Sequence, residues 1–275
     1  MMTPAKLTRN GLTYGVLLLG SFITLAPLVV VGLTAFFPPG TPVDGFSVPD
    51  ELHWGTFTTA WENGGFSAAF RTTLIVGAAV VAIVTACSVL AGFALAVLPF
   101  RGHRVLLYVF MAGIVTPYVA LVIPMYFQFQ ELGLLGGYRS LILAEAGLYL
   151  GFGVFWMTSF FRSIPSTLLE AARLDGASSL RILWSIYLPV SRPAVITLMM
   201  LTFLSSWNEY LVPLILGGAS STPTVALGLA SFQGQHLTDV PSLAAASLIV
   251  AVPAVLLYVL TQRTFFRGLL DGAVK

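Results

Sequence analysis

Thr72-Thr-Leu-Ile-Val-Gly-Ala-Ala-Val-Val-Ala-Ile-Val-Thr-Ala-Cys-Ser-Val-Leu-Ala-Gly-Phe-Ala-Leu-Ala-Val-Leu98 runs its whole length without a charged side chain. A helix rising 1.5 Å per residue needs about 20 apolar residues to cross a hydrocarbon core of about 30 Å, and this stretch has that length. Only helices and closed barrels pair every backbone group inside a bilayer. Barrel strands are short and alternate in polarity, whereas this run is continuous. The stretch is therefore read as a membrane-spanning helix.

Five further runs pass the same reading: Thr13–Phe37, Val105–Phe127, Leu141–Phe161, Ala194–Leu216 and Leu243–Phe265. The composition agrees. The 275 residues are 57% hydrophobic and 9% charged, with a mean hydropathy of +0.92, whereas a soluble domain carries about a quarter charged residues to face water. The expected fold class is all-α integral membrane with six transmembrane helices. The first run is too long for the apolar region of a secretory signal, so it is expected to be retained. No linker or low-complexity tract interrupts the chain, which predicts one domain over 1–275. Pro27, Pro117, Pro124, Pro213 and Pro253 fall within spans and are expected to kink them.

Lys and Arg give the spans a direction, since cytoplasmic loops are enriched in them. With the N-terminus inside, one set of loops and ends holds Lys6, Arg9, Arg101, Arg104, Arg162, Arg173, Arg181, Arg192, Arg263, Arg267 and Lys275. The opposite side holds only Arg71 and Arg139, together with Asp44, Asp50, Glu51, Glu62, Glu131 and Asp239. Six spans with both termini cytoplasmic satisfy that pattern. In the external stretch after Pro38, Trp54 and Trp61 suit a helix lying at the headgroup level. The net charge of +2 does not point to nucleic acid. Cys87 has no partner for a disulfide, and His53, His103 and His236 fall on separate loops as solvated residues. No grouping has metal-ligand spacing.

The cytosolic connection 163–193 differs from the rest. Thr167 and Glu170 have capping-box spacing, and Leu168, Ala171, Ala172 and Leu174 give the ensuing helix an apolar side. Gly176 supplies a left-handed residue to end it. A second helix is expected from about Ser178 to Leu188, with Leu180, Leu183, Trp184 and Tyr187 at helical spacing and Pro189 stopping it. The apolar sides of such a pair must be covered, either by the chain's own spans or by a groove on another protein.

Glu170-Ala-Ala-Arg-Leu-Asp-Gly-Ala177, followed by Leu188-Pro189 and Pro193, resembles the EAA loop of bacterial ABC-importer permeases with the type I fold. Phe160-Phe-Arg-Ser-Ile-Pro165, Trp207-Asn-Glu-Tyr210 and the tail from Gln262 to Lys275 are similar to the carbohydrate-uptake branch, in particular its shorter, MalG-like subunits. Gly151-Phe152, Thr72-Thr73 and Leu169 depart from that pattern, where Pro-Phe, Asn-Ser and an acid are usual. The resemblance implies a bacterial inner-membrane subunit working with a MalF-like second permease in a heterodimer, two ATP-binding cassette ATPases and an extracytoplasmic sugar-binding protein. It implies that Glu170, Ala171, Ala172, Arg173, Asp175, Gly176 and Pro189 form the contact with an ATPase. The chain contains no Gly-x-x-x-x-Gly-Lys-Ser/Thr phosphate loop, so ATP and Mg²⁺ are expected in the partner rather than here, and the chain is expected to be non-catalytic.

Ionisable groups within spans are costly and mark cavities or helix contacts. Glu209, beside Asn208 and Tyr210, and Glu145, near the outer end of its span, are the candidates for the substrate path. Carboxylates, amides and aromatic rings suit sugar hydroxyls and C–H faces. The competing role is locking helices together, and Glu145 lies close enough to the interface to be solvated. A stand-alone secondary transporter is the alternative, but the spans show little of the broken-helix, mid-membrane charge that ion coupling uses. A membrane-embedded enzyme would need a catalytic constellation in the spans, where no His occurs. A purely structural protein would leave the loop at 163–193 without a purpose.

Overall fold

Every long apolar run becomes helix, because a backbone in hydrocarbon has no other local way to pair its amides. The computed structural model describes residues 4–98, 100–217, 222–233 and 239–273, with side chains between 13 and 262. The side chains of Lys6, Arg9, Arg263 and Arg267, and the whole of His236 and Lys275, lie outside that description. Among the described residues the regular elements are α1 (Pro4–Thr34), α2 (Gly55–Asn63), α3 (Phe66–Val97), α4 (His103–Val115), α5 (Tyr118–Glu131), α6 (Gly137–Ser163), α7 (Ser166–Leu174), α8 (Ser179–Ile182), a π-helical turn (Leu183–Tyr187), α9 (Leu188–Val190), α10 (Arg192–Trp207), α11 (Leu211–Leu216), α12 (Val225–Ala230) and α13 (Val240–Ala273). Among the described residues four helices are long and apolar enough to cross a membrane unaided, and the number reaches six when two bent pairs, α4 with α5 and the segment 179–190 with α10, each count as one span.

The kink expected at Pro117 is a full break, and the second bent pair joins the 179–190 segment to α10 at 78°. The run Val105–Phe127 is two helices, α4 and α5, meeting at 100°. Pro117 crowds the residue before it out of the helical region, and Thr116 accordingly sits at φ −67°, ψ 126°, followed by Pro117 at ψ 113°. The run Ala194–Leu216 is also interrupted, with α10 ending at Trp207 and α11 starting at Leu211. Pro27, Pro124 and Pro253 stay inside their helices. The expected headgroup helix is α2, with Trp54 as its N-cap residue. His103 opens α4 instead of lying on a loop, while His53 is exposed before α2 as expected.

The chain divides into two units. One comprises 1–65 and 229–252. There, Phe36 packs its ring edgewise against Trp54 at 4.8 Å, and the Thr56 hydroxyl donates to the Phe37 carbonyl at 2.7 Å. Asp239 accepts from the Gly40 N–H at 2.9 Å and from the Ser242 N–H at 3.1 Å. Asp239 thus caps α13 and pins the Pro/Gly-rich stretch after α1. Burial alone would push its carboxyl up, but the Ser242 hydroxyl and the two N–H donors outweigh it and hold the group below the usual carboxylate range.

The other unit comprises 66–228 and 253–275. Its centre is the pairing of α3 with α6, which small residues bring close. A Cβ at Gly92 would lie 2.7 Å from the Met157 Cβ. Two apolar clusters follow. Toward the C-terminal end of α3, Val89 and Phe93 pack with Met157, Phe161 and Leu198. Toward its N-terminal end, Val76, Val80 and Val84 pack with Leu141, Ala144 and Val212. Gly151, where the resemblance led one to expect proline, lets α6 press against α4: a Cβ there would stand 2.9 Å from the Phe110 carbonyl oxygen.

Candidate functional site

The loop between α6 and α10 folds as a helix pair, with three departures from expectation. The capping box does not form. Pro165 is the N-cap and no side chain caps α7, because Ile164, placed before proline, turns extended at ψ 130° and the helix starts before Thr167 can act. The turn after α7 is as expected. Gly176 adopts φ +73°, its N–H donates to the Arg173 carbonyl at 3.1 Å, and the Ala177 N–H reaches back to Ala172 at 3.0 Å. Those two bonds make a Schellman motif, which satisfies the last carbonyls of α7 and fixes the exit direction.

The second helix starts as expected, with the Ser178 hydroxyl accepting from the Arg181 N–H, but Pro189 does not stop it. Leu188 keeps helical angles, φ −65° and ψ −46°, and its N–H bonds five residues back to Leu183. The π turn absorbs the proline, and the backbone continues to Val190 before bending into α10.

The chain's own spans cover one face of the pair and leave another exposed. Ala172, Ile182, Leu183 and Tyr187 are buried in one core with Phe93 of α3, Phe161 of α6 and Leu198 of α10. Tyr187 meets both rings edgewise, at 5.2 Å from Phe93 and 5.6 Å from Phe161. Arg173 and Arg162 donate to the Val97 and Leu95 carbonyls at the end of α3, at 3.5 and 3.4 Å. The Trp156 indole donates to the Ala194 carbonyl at 3.0 Å. Of the apolar residues expected to share a side, Leu168, Ala171, Leu174, Leu180 and Trp184 instead face outward. Leu174 is 89% exposed, Leu180 64% and Trp184 60%. Glu170, Arg173, Asp175, Gly176, Arg181 and Pro189 surround them, all exposed. Of the residues proposed for the ATPase contact, only Ala172 points inward.

The span candidates separate more sharply. Glu145 is 1% exposed and accepts a hydrogen bond from the Ser206 hydroxyl, so it ties α6 to α10 and is not solvated. Asn208 turns back, its amide donating to the Leu204 carbonyl at 2.8 Å to close α10. Glu209 opens α11. One carboxylate oxygen accepts from the Leu211 and Val212 N–H groups at 3.1 and 3.2 Å. The next residue, Pro213, has no N–H to satisfy, so the first turn of α11 is complete. The other oxygen accepts from the Tyr149 hydroxyl at 2.9 Å. An acid two residues ahead of a helix with proline in its first turn is a helix-start signal that a continuous-span reading passes over. Tyr210 is exposed.

Glu209 and Tyr149 also line an open recess of about 490 Å³ with Thr116, Tyr118, Phe152 and Ser205. It forms where the α4–α5 break leaves room beside α6 and the Asn208–Tyr210 break. Tyr149, Ser205 and Thr116 were not singled out in the sequence, and the Thr-Pro step at 116–117 is the signal that could have located them. The recess offers one carboxylate, hydroxyls and aromatic rings, groups that hydrogen-bond hydroxyl-rich solutes and stack on C–H faces.

Residues 88–269 match the family model described as "Binding-protein-dependent transport system inner membrane component". The diacetylchitobiose uptake system permease protein NgcG of Streptomyces coelicolor is 29% identical over 96% of this chain and 88% of its own length. The probable ABC transporter permease protein YurM of Bacillus subtilis is 36% identical over 84% of this chain and 76% of its own. Among solved structures, a bacterial ABC transporter involved in the import of the acidic polysaccharide alginate superposes with a TM-score of 0.80 at 20% identity, over 96% of this chain and 99% of the matched one. At that identity the likeness is one of fold.

Proposed function

The chain belongs to the family of binding-protein-dependent transport system inner membrane components, and from that premise we propose that it is the permease subunit through which an ABC importer passes a carbohydrate. One observation carries the coupling part of this reading. The helix pair 166–190 is rooted in α3, α6 and α10 on one face and offers an unshielded apolar and charged face on the other. A rigid pair of that kind transmits force, because a packed core moves between discrete arrangements instead of deforming smoothly. Glu170, Ala171, Arg173, Asp175, Gly176 and Pro189 meet an ATPase subunit. ATP and Mg²⁺ bind in a pair of those subunits, and this chain does no chemistry itself. Closure of the pair swings the helix pair, and α3, α6 and α10 with it, between inward- and outward-facing states.

The carbohydrate reading rests on the relative named for diacetylchitobiose and on the hydroxyl-, carboxylate- and ring-lined recess. Glu209, Tyr210 and Tyr149 lie along the path, while Asn208 and Glu145 hold the helices that form it. The charge asymmetry of the loops supports both termini on the cytoplasmic side, with an external binding protein delivering cargo to the opposite face. A MalF-like second permease completes the path. The span Thr13–Thr34 buries none of its apolar window within the chain, which leaves it for lipid and that partner. Family membership gives the stand-alone carrier no support.

Replacing Gly176 by Asp tests the coupling role. A Cβ there meets nothing within 4 Å, but φ +73° strains any L side chain. Because the strain falls on an exposed turn outside the buried core, the variant is expected to reach the membrane and to lose uptake driven by ATP hydrolysis. Uptake at the normal rate would sink the docking role.

A further inference from the structure

A second recess, of about 510 Å³, lies where three membrane helices end together: the last turn of α3, the first turn of α4 and the last turn of α6. Helix ends of three spans define the headgroup level of the bilayer, whichever leaflet that is. The walls combine two chemistries. Arg104, Arg162 and His103 supply positive or donor groups, and Leu98, Leu107 and Tyr108 supply an apolar flank.

Two of these groups, Arg162 and His103, are positioned from within the chain. Arg162 is held by its bond to the Leu95 carbonyl. The His103 ring uses Nδ1 on the Phe100 carbonyl at 3.0 Å, leaving Nε2 as its other polar atom. The first turn of α4 carries no side-chain cap, so its amides add to the positive potential at the same place. The negative end of α3 is already answered by Arg162 and Arg173. Beyond the recess, α4 buries none of its residues in the chain, and Tyr108 and Val109 continue an exposed apolar track along it.

We propose that this recess binds a phosphate anion carried by a lipid: the phosphodiester of an anionic phospholipid sits between Arg104 and Arg162, and an acyl chain lies along α4. Basic pockets between membrane helices are suited to such headgroups, and paired guanidinium groups match phosphate oxygens. The apolar track distinguishes a lipid from free phosphate, which would have no use for it. The inference needs the helix ends at the headgroup level but not the orientation, cargo or ATPase contact proposed above.

The test is equilibrium binding of fluorescent phosphatidylglycerol to the full-length chain purified in the complex it forms, with fluorescent phosphatidylcholine as comparison and inorganic phosphate as competitor. Saturable binding that prefers phosphatidylglycerol is expected. It should weaken about fivefold in Arg104→Gln, the loss of one basic residue at a membrane surface, and recover in Arg104→Lys. Arg139→Gln, at the opposite end of α6, should bind as the unaltered chain does. Displacement of the labelled lipid by millimolar phosphate, with no discrimination between the lipids in its absence, would overturn the lipid assignment in favour of a soluble anion. Equal binding of both lipids, unmoved by Arg104→Gln, would overturn the site, as would binding abolished whenever the ATPase subunits are present.

Discussion

Trp184 is the sharpest test of the idea that the helix pair serves an external partner. Its neighbour Leu183 is 1% exposed and Trp184 is 60% exposed, so adjacent residues separate folding from docking. A tryptophan has roughly 150–250 Å² to bury, and three-fifths of that leaves about 90–150 Å² for a partner to cover. At about 25 cal/mol per Å² this is about 2–4 kcal/mol. After the cost of immobilising the side chain, about 2 kcal/mol remains, or about thirtyfold in Kd. Trp184→Ala is therefore expected to insert and fold as the parent does but to lose co-purifying ATPase, with the Kd measured by titrating purified ATPase against the chain in nanodiscs. Leu183→Ala should instead cost about 2–5 kcal/mol of the chain's own stability, seen as a lower melting temperature before any partner is added. If Trp184→Ala bound ATPase with parental affinity, the exposed face would be a lipid or solvent face, and the force path drawn from it would be wrong.

Three further outcomes follow from the contacts around the spans. Ser206→Ala removes the donor to buried Glu145 and should destabilise the chain by about 1–3 kcal/mol, read as a lower melting temperature in detergent, while uptake per folded molecule stays normal. Glu209→Gln keeps an acceptor for the α11 amides but removes the charge from the recess. It should lower uptake more than Tyr210→Phe, and parental rate and affinity in both variants would take them off the path. The Asp239 carboxyl lies below its ordinary value in the folded chain, so its contribution is complete above about pH 4 and is lost as the pH falls through the lowered value. Asp239→Ala, which removes the acceptor of both N–H groups, should therefore give at neutral pH the protease sensitivity around Gly40 that the parent is expected to show only in acid.

Some features depend on the chain alone. Apolar length made the helices, because in hydrocarbon an unpaired amide has no alternative partner. Thr116–Pro117 and Ile164–Pro165 ended theirs because proline excludes the helical conformation from the residue before it. Gly176 took the left-handed angles its place in the loop demanded. The EAA loop was legible for the same local reason: its two short helices and their turn are specified within a few residues of one another.

What needed the tertiary structure was the direction in which each side chain faces and what it meets. Leu183 and Trp184 are neighbours with opposite fates, which depend on where Phe93, Phe161 and Leu198 stand. Pro189 carries the same local signal as Pro117, yet the helix continues through it because a π turn packed into that core supplies a bond five residues back. Glu145 looked near enough to water to be solvated and instead accepts from Ser206, a residue 61 positions away. Glu209 became the cap of a helix whose existence depends on a break in a long apolar run. Local backbone preference acts over a handful of residues, whereas burial is decided by whichever helix comes to lie alongside.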